Sequence, residues 1–177
     1  MKFFYCVEAE IVPDTFSRLI MRVIEADYSH AFILVEDIPD LIRDRHMLHP
    51  EHGIIFEATV PVYRHRSILT TNSKNSEIRG KVEIAVTNEY LALGWLLGNM
   101  GKEYSFSQCM GFLDLHLQTN LKEIWGNGEG KGVCSELCAR FGAANSTRPE
   151  LFNDVNLDYI TPKEGLDLFS KLHKLTF

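Results

Sequence analysis

The chain has 177 residues, 45% of them hydrophobic and 24% charged, with a formal net charge of −6. That length suits one domain with a substantial core, expected to span residues 1–177. An acidic balance without a Lys/Arg block disfavours nucleic acid and anionic membranes as partners, and no stretch approaches the roughly 20 apolar residues of a membrane span. The start, MKFFYCVEAE, meets Glu8 and Glu10 before a signal-peptide core could form. A cytoplasmic location is therefore expected, with Cys6, Cys109, Cys134 and Cys138 as free thiols rather than a disulfide framework.

In chain order, KFFYCVEAEIV (2–12) is rich in aromatic and β-branched residues and predicts a strand. Pro13 breaks it, and Asp14 caps a helix over TFSRLIMRVIEAD, whose Phe16, Leu19, Ile20, Val23 and Ile24 fall at helical spacing. HAFILVE (30–36) is an apolar strand, and IPDLIRDRHMLHPEH a polar connection with room for one helical turn. GIIFEATVPV (53–62) is the next strand, stopped or pushed to a sheet edge by Pro61. TTNSKNSEIRGK (70–81) reads as a loop, and KVEIAVT (81–87) as a strand. Asn88 caps a helix over NEYLALGWLLGNMG that ends at glycine. A second helix is expected over 106–124, a cysteine-headed one over about 134–143, and a short final one from Thr161-Pro162. Helices mixed with antiparallel-type strands, without a βαβ alternation, indicate an α+β fold.

Four glycines within residues 126–132 lead to Cys134 at the start of the next helix. There, unpaired N–H groups and the helix dipole favour negative charge, so a thiolate is stabilised. A small buried apolar side chain is the ordinary fate of such a cysteine. A nucleophile also needs a base and a group that orients the base. His30 heads an apolar strand, and Glu57 places a carboxylate inside another. If these strands pair antiparallel, the start of the first lies beside the later half of the second, and His30 meets Glu57 at one end of the sheet. Taken singly, His30 reads as a satisfied structural residue and Glu57 as a solvent-facing edge residue. A helix packed across that end of the sheet could deliver Cys134 by its first turn, and the three would then be nucleophile, base and orienting acid.

The segments YSHAFILVE, IIFEATV, MGKEYSF and GVCSELCARF, in this order, resemble the YiiX/YaeF-type permuted papain-like hydrolases, relatives of the NlpC/P60 superfamily. TPKEGLDL near the end is similar to that family's Thr-Pro-x-x-Leu tail, while the first strand lacks the family's frequent Gly-Asp motif. The resemblance implies a circularly permuted papain-like fold, an antiparallel sheet packed against the helix headed by the nucleophilic cysteine. It implies Cys134 as nucleophile, His30 as base and Glu57 as orienting acid. It also implies Tyr104, from the Gly-x-x-Tyr segment, as an oxyanion donor beside the Cys134 backbone N–H. A buried tyrosine that anchors its loop is an equal reading of Tyr104.

The expected activity is thiol-dependent hydrolysis of an amide or related acyl bond, as in a peptidase or amidase, through an acyl-enzyme. Acyl transfer on the same triad and a catalytically silent peptide- or acyl-binding domain are the alternatives. The expected partner is a peptide, amide or acyl small molecule, with no organic cofactor and no metal. His46, His49 and His52 stand three apart, but Pro50 interrupts a helix that would present them together, so they do not read as a zinc site. Cys134 and Cys138 are C-x₃-C rather than a redox C-x-x-C, and share a helix face with Cys138 expected in the core. GNGEGKG lacks the phosphate-binding spacing and reads as a loop.

Overall fold

A computed structural model describes residues 1–45, 53–59, 62–67, 76–104 and 133–176. The expected helix at 106–124, the histidines His46, His49 and His52, Cys109 and the loop 126–132 lie outside them. The fold is α+β. Strands β1 (Lys2–Glu10), β2 (His30–Glu36), β3 (Ile54–Ala58), β4 (Tyr63–Ser67) and β5 (Ser76–Ile84) form an antiparallel sheet in the order β4-β3-β2-β1-β5. Between and after them come α1 (Thr15–Val23), α2 (Asp40–Arg45), α3 (Glu89–Asn99), α4 (Cys134–Asn145) and α5 (Pro162–Thr176). Among the described residues no helix is long and apolar enough to cross a membrane.

The sheet sorts its side chains by strand alternation. Phe3, Tyr5 and Val7 of β1, Ile33 and Val35 of β2 and Ile54 and Phe56 of β3 point to one face. There they pack with Leu96 of α3, Cys138 and Phe141 of α4 and Phe169 of α5 in the main core. Tyr5 stacks on Phe169 with ring centroids 4.6 Å apart, and its hydroxyl donates to the Pro162 carbonyl at 2.8 Å. The opposite face carries a smaller cluster of Cys6, Phe32, Leu34 and Ile55. Because β2 is covered on both faces, its AFILV run is fully buried, as its unbroken apolar sequence predicts.

The helix boundaries follow from capping. Asp14 accepts from the Ser17 N–H at 2.6 Å and Asn88 accepts from the Tyr90 and Leu91 N–H groups at 3.0 Å, so α1 and α3 start where the sequence places them. Of the helical-spaced apolar residues after Asp14, Ile20 and Ile24 are in the core, while Leu19 is exposed. Helix α5 starts with a capping box: Glu164 N–H donates to Thr161 Oγ1 at 2.9 Å, and Thr161 N–H to Glu164 Oε2 at 2.8 Å. It runs to Thr176, well beyond the short helix expected.

Two expectations are corrected. Residues 76–81, read as loop, belong to β5. Gly80 there is not a turn residue: a Cβ would lie 3.0 Å from Val7 and 3.2 Å from Leu166, so glycine lets β1 and α5 close on the strand. The strand at 53–62 ends at Ala58 and is not an edge, since β3 has β2 on one side and β4 on the other. Strand β4, YRHRS, went unread because alternate charged residues carry no apolar period.

Candidate active site

Antiparallel pairing of β2 with β3 runs from Val35↔Ile54 to Ile33↔Phe56 and stops there, short of both strand ends. His30 and Glu57 lie beyond the last pair, on the same face by alternation, with the imidazole Nε2 3.0 Å from Glu57 Oε2. The opening left at this end of the sheet faces the start of α4, where Val133 is the N-cap and offers no capping side chain. With no side chain competing at the N-cap, the Ser135 N–H of the first turn serves the Cys134 sulfur, as does Ala31 N–H from β2. With Nε2 on Glu57, the remaining ring nitrogen, Nδ1, is the one left for the Cys134 thiol, whose charge acts on the ring.

Electrostatics follow from these contacts. Burial opposes a charged Cys134 thiolate, but the His30 imidazolium and the two N–H groups outweigh it and hold the thiol below its ordinary range. Burial likewise opposes a charged His30, yet the Cys134 thiolate and then Glu57 raise it well above the usual imidazole value. Glu57 is 2% exposed. Its burial is overcome by the hydrogen bond from His30 and the charges of His30 and Arg66, which hold the carboxyl well below the usual range. The three groups favour an ion pair between thiolate and imidazolium, oriented by a carboxylate.

The triad opens into a cleft of about 270 Å³. Phe16, Ile20, Ile160 and Pro162 form an apolar wall, while Glu8, Arg64 and Ser76 come from the other face of the sheet. Ser135 Oγ donates to the Ile160 carbonyl at 2.5 Å and so ties the start of α4 to the lip of that wall. Tyr104 lines the cleft and packs in a small cluster with Ala58, Tyr63, Cys134 and Leu137. It is brought there because residues 101–103 pair with the start of β4: Gly101 N–H donates to Tyr63 O at 2.9 Å and Tyr63 N–H to Lys102 O at 2.8 Å.

Three charged residues join the site without having been singled out in the sequence. Glu8 pairs with His30 across β1 and β2. Arg64 and Arg66 donate through Nε to Glu57 Oε1, each at 2.9 Å. Strand alternation in KFFYCVEAE places Glu8 on the face opposite Tyr5 and Val7, which was a legible signal. The arginines needed β4 to be recognised first. Ligand atoms of Glu8, His30 and Glu57 lie within 4.8 Å of one another, a spacing that would suit a cation. Their carboxylate oxygens are occupied instead by Arg64, Arg66, Ser76 and His30, so guanidinium groups supply the positive charge at this spot.

No protein-family model matches the chain, and no curated protein matches it in sequence.

Proposed function

We propose that the protein is a thiol-dependent hydrolase of amide or related acyl bonds, with Cys134 as nucleophile, His30 as acid and base, and Glu57 as the orienting acid. The observation that carries this reading is the His30 imidazole, 3.0 Å from Glu57 Oε2 through Nε2, in one cleft with the Cys134 thiol at the first turn of a helix. A fold of permuted papain-like type accommodates it, with the base and acid on strands that precede the cysteine helix in the chain. The Cys134 sulfur attacks the substrate carbonyl carbon, and the carbonyl electrons move to oxygen. The Cys134 backbone N–H and the Tyr104 hydroxyl are the donors that serve this oxyanion. As the oxyanion collapses, His30 passes its Nδ1 proton to the leaving amine, which departs and leaves a thioester. Water then attacks that thioester, giving its proton to His30, and the acid is released with the thiol restored.

The test is intact-protein mass spectrometry after exposure to activated acyl esters and anilides, followed by peptide mapping. The expected result is a single acyl adduct on Cys134 that decays with release of acid and is absent from Cys134→Ala. Adducts elsewhere with none on Cys134 would overturn the proposal.

A further inference from the structure

Glu57 makes contacts on both of its oxygens, and only one of them faces His30. Oε1 accepts from Arg64 and from Arg66. The Arg64 side chain is 43% exposed, whereas that of Arg66 is 7% exposed. Arg66 reaches from β4 across the sheet, its guanidinium 5.7 Å from the Phe32 ring centroid. At the far side its Nη2 donates to Glu8 Oε1 at 3.0 Å and to Oε2 at 3.2 Å. Glu8 is the residue opposite His30 in the β1–β2 register, and Ser76 Oγ donates to its Oε2 at 3.2 Å. A chain of contacts therefore runs from His30 through Glu57 and Arg66 to Glu8, joining four neighbouring strands.

The geometry points to Arg66 as a positioning residue for the triad, which clamps Glu57 through Oε1 so that Oε2 stays on His30. This rests on the function proposed above. Arg64 also reaches Oε1, but from a side chain 43% exposed and with no second carboxylate to fix it. Arg66 is buried and pinned at its far end on Glu8, so it is the rigid anchor that stops the carboxylate turning about its last bond, and a forked guanidinium is the side chain able to hold two carboxylates at once. Arg66 also separates two acids that would otherwise face each other at short range. Without it, Glu8 and Glu57 would repel with no shared cation between them, and Glu57 would be pushed off its place against His30. Among the described residues, the other groups that face this pair are Arg64 from β4, Ser76 from β5 and Cys134 from α4, and none of these reaches both carboxylates.

The experiment is the pH profile of haloacetamide labelling at Cys134 in the wild type, Arg66→Gln and Arg66→Lys, with thermal melts recorded alongside. For Arg66→Gln, labelling at pH 6 should slow by about tenfold, as for one unit of rise in thiol pKa. At pH 9, where the thiolate forms unaided, the rates should converge. Arg66→Lys keeps the charge but not the fork, so its profile should lie between the two. A merely structural role would lower the melting temperature and leave the profile of the folded protein where it was. A profile of Arg66→Gln that superimposes on the wild type overturns the positioning role. If that variant does not fold, a superimposing Arg66→Lys profile does so. Failure of wild-type Cys134 to label at pH 6 would instead overturn the thiolate reading beneath it.

Discussion

Cys134 and Cys138 stand one turn apart on α4, and their surroundings push the two thiols in opposite directions. Cys134 meets the His30 imidazolium and the Ala31 and Ser135 N–H groups, which overcome its burial and lower it. Cys138 is fully buried in the main core, where desolvation and then the negative charge of Cys134 raise it. Cys6, sealed in the cluster on the other face, is pushed up to about 12, chiefly by burial. The thiolate is the reactive form, so selectivity follows directly. A haloacetamide at about pH 6, well below the usual thiol value of roughly 8.5, should modify Cys134 and leave Cys138 and Cys6 intact. His30→Ala should slow the reaction at that pH. Peptide mapping reads all three sites, and labelling of Cys6 ahead of Cys134 would contradict the assignment.

Glu57→Gln separates orientation from charge. The amide can still hold the imidazole but does not stabilise its cation, so turnover should fall partway, by less than in His30→Ala. The same substitution reports on stability. Glu57 is depressed in the folded protein, so its ionisation stabilises the fold fully above the ordinary carboxylate value of about 4.3 and progressively less as pH falls towards the lower folded value. Denaturant titrations should give a wild-type advantage of about 1–3 kcal/mol at pH 7, the usual cost of an impaired buried charged hydrogen bond. That advantage should shrink steadily below pH 4. An advantage unchanged at pH 3 would mean that packing, not charge, accounts for it.

Tyr104→Phe tests the second oxyanion donor. Removal of one donor lowers kcat by about 10²–10³ in well-studied acyl-transfer sites, with little effect on KM. Retention of kcat with a lower melting temperature would make Tyr104 an anchor of the 101–104 segment and no more.

Gly142 shows how closely α4 must approach its neighbours. A Cβ there would fall 2.4 Å from Phe152 and 2.8 Å from Phe169. Both rings are buried, and Phe169 also stacks on Tyr5, so neither can withdraw cheaply. Gly142→Ala should therefore cost about 1–3 kcal/mol despite alanine's better helix propensity, as overpacking does. A melting temperature at or above that of the wild type would refute the close packing.

What the sequence made legible was local in origin. The strand at His30–Glu36 and the helices after Asp14 and Asn88 could be read because apolar runs and capping residues are signals within a few positions. The meeting of His30 with Glu57 was accessible from strand alternation and an antiparallel assumption. Arg64 and Arg66 were hidden, because β4 carries its information in cross-strand partners rather than in its own pattern. Residues 76–81 read as a loop for the same reason: the close approach of Val7 and Leu166 that places Gly80 in β5 comes from neighbouring elements, not from the segment's own pattern.

His30, Glu57 and Cys134 lie on three separate segments, and the opening they share exists only once β2 and β3 have paired and α4 has docked. None of the contacts that lower the Cys134 thiol survives in the unfolded chain, apart from the ordinary chemistry of a cysteine. Reactivity at mildly acidic pH is thus a clock for the last stage of folding. During refolding, long-range strand pairing and helix docking must come before the ion pair, because loop closure precedes the contacts that reward it. A pulse of alkylating agent at pH 6 should find Cys134 slow to react at early times and fast at the end. At alkaline pH the order reverses, with Cys6 and Cys138 labelled early and then withdrawn from reach as the sheet closes.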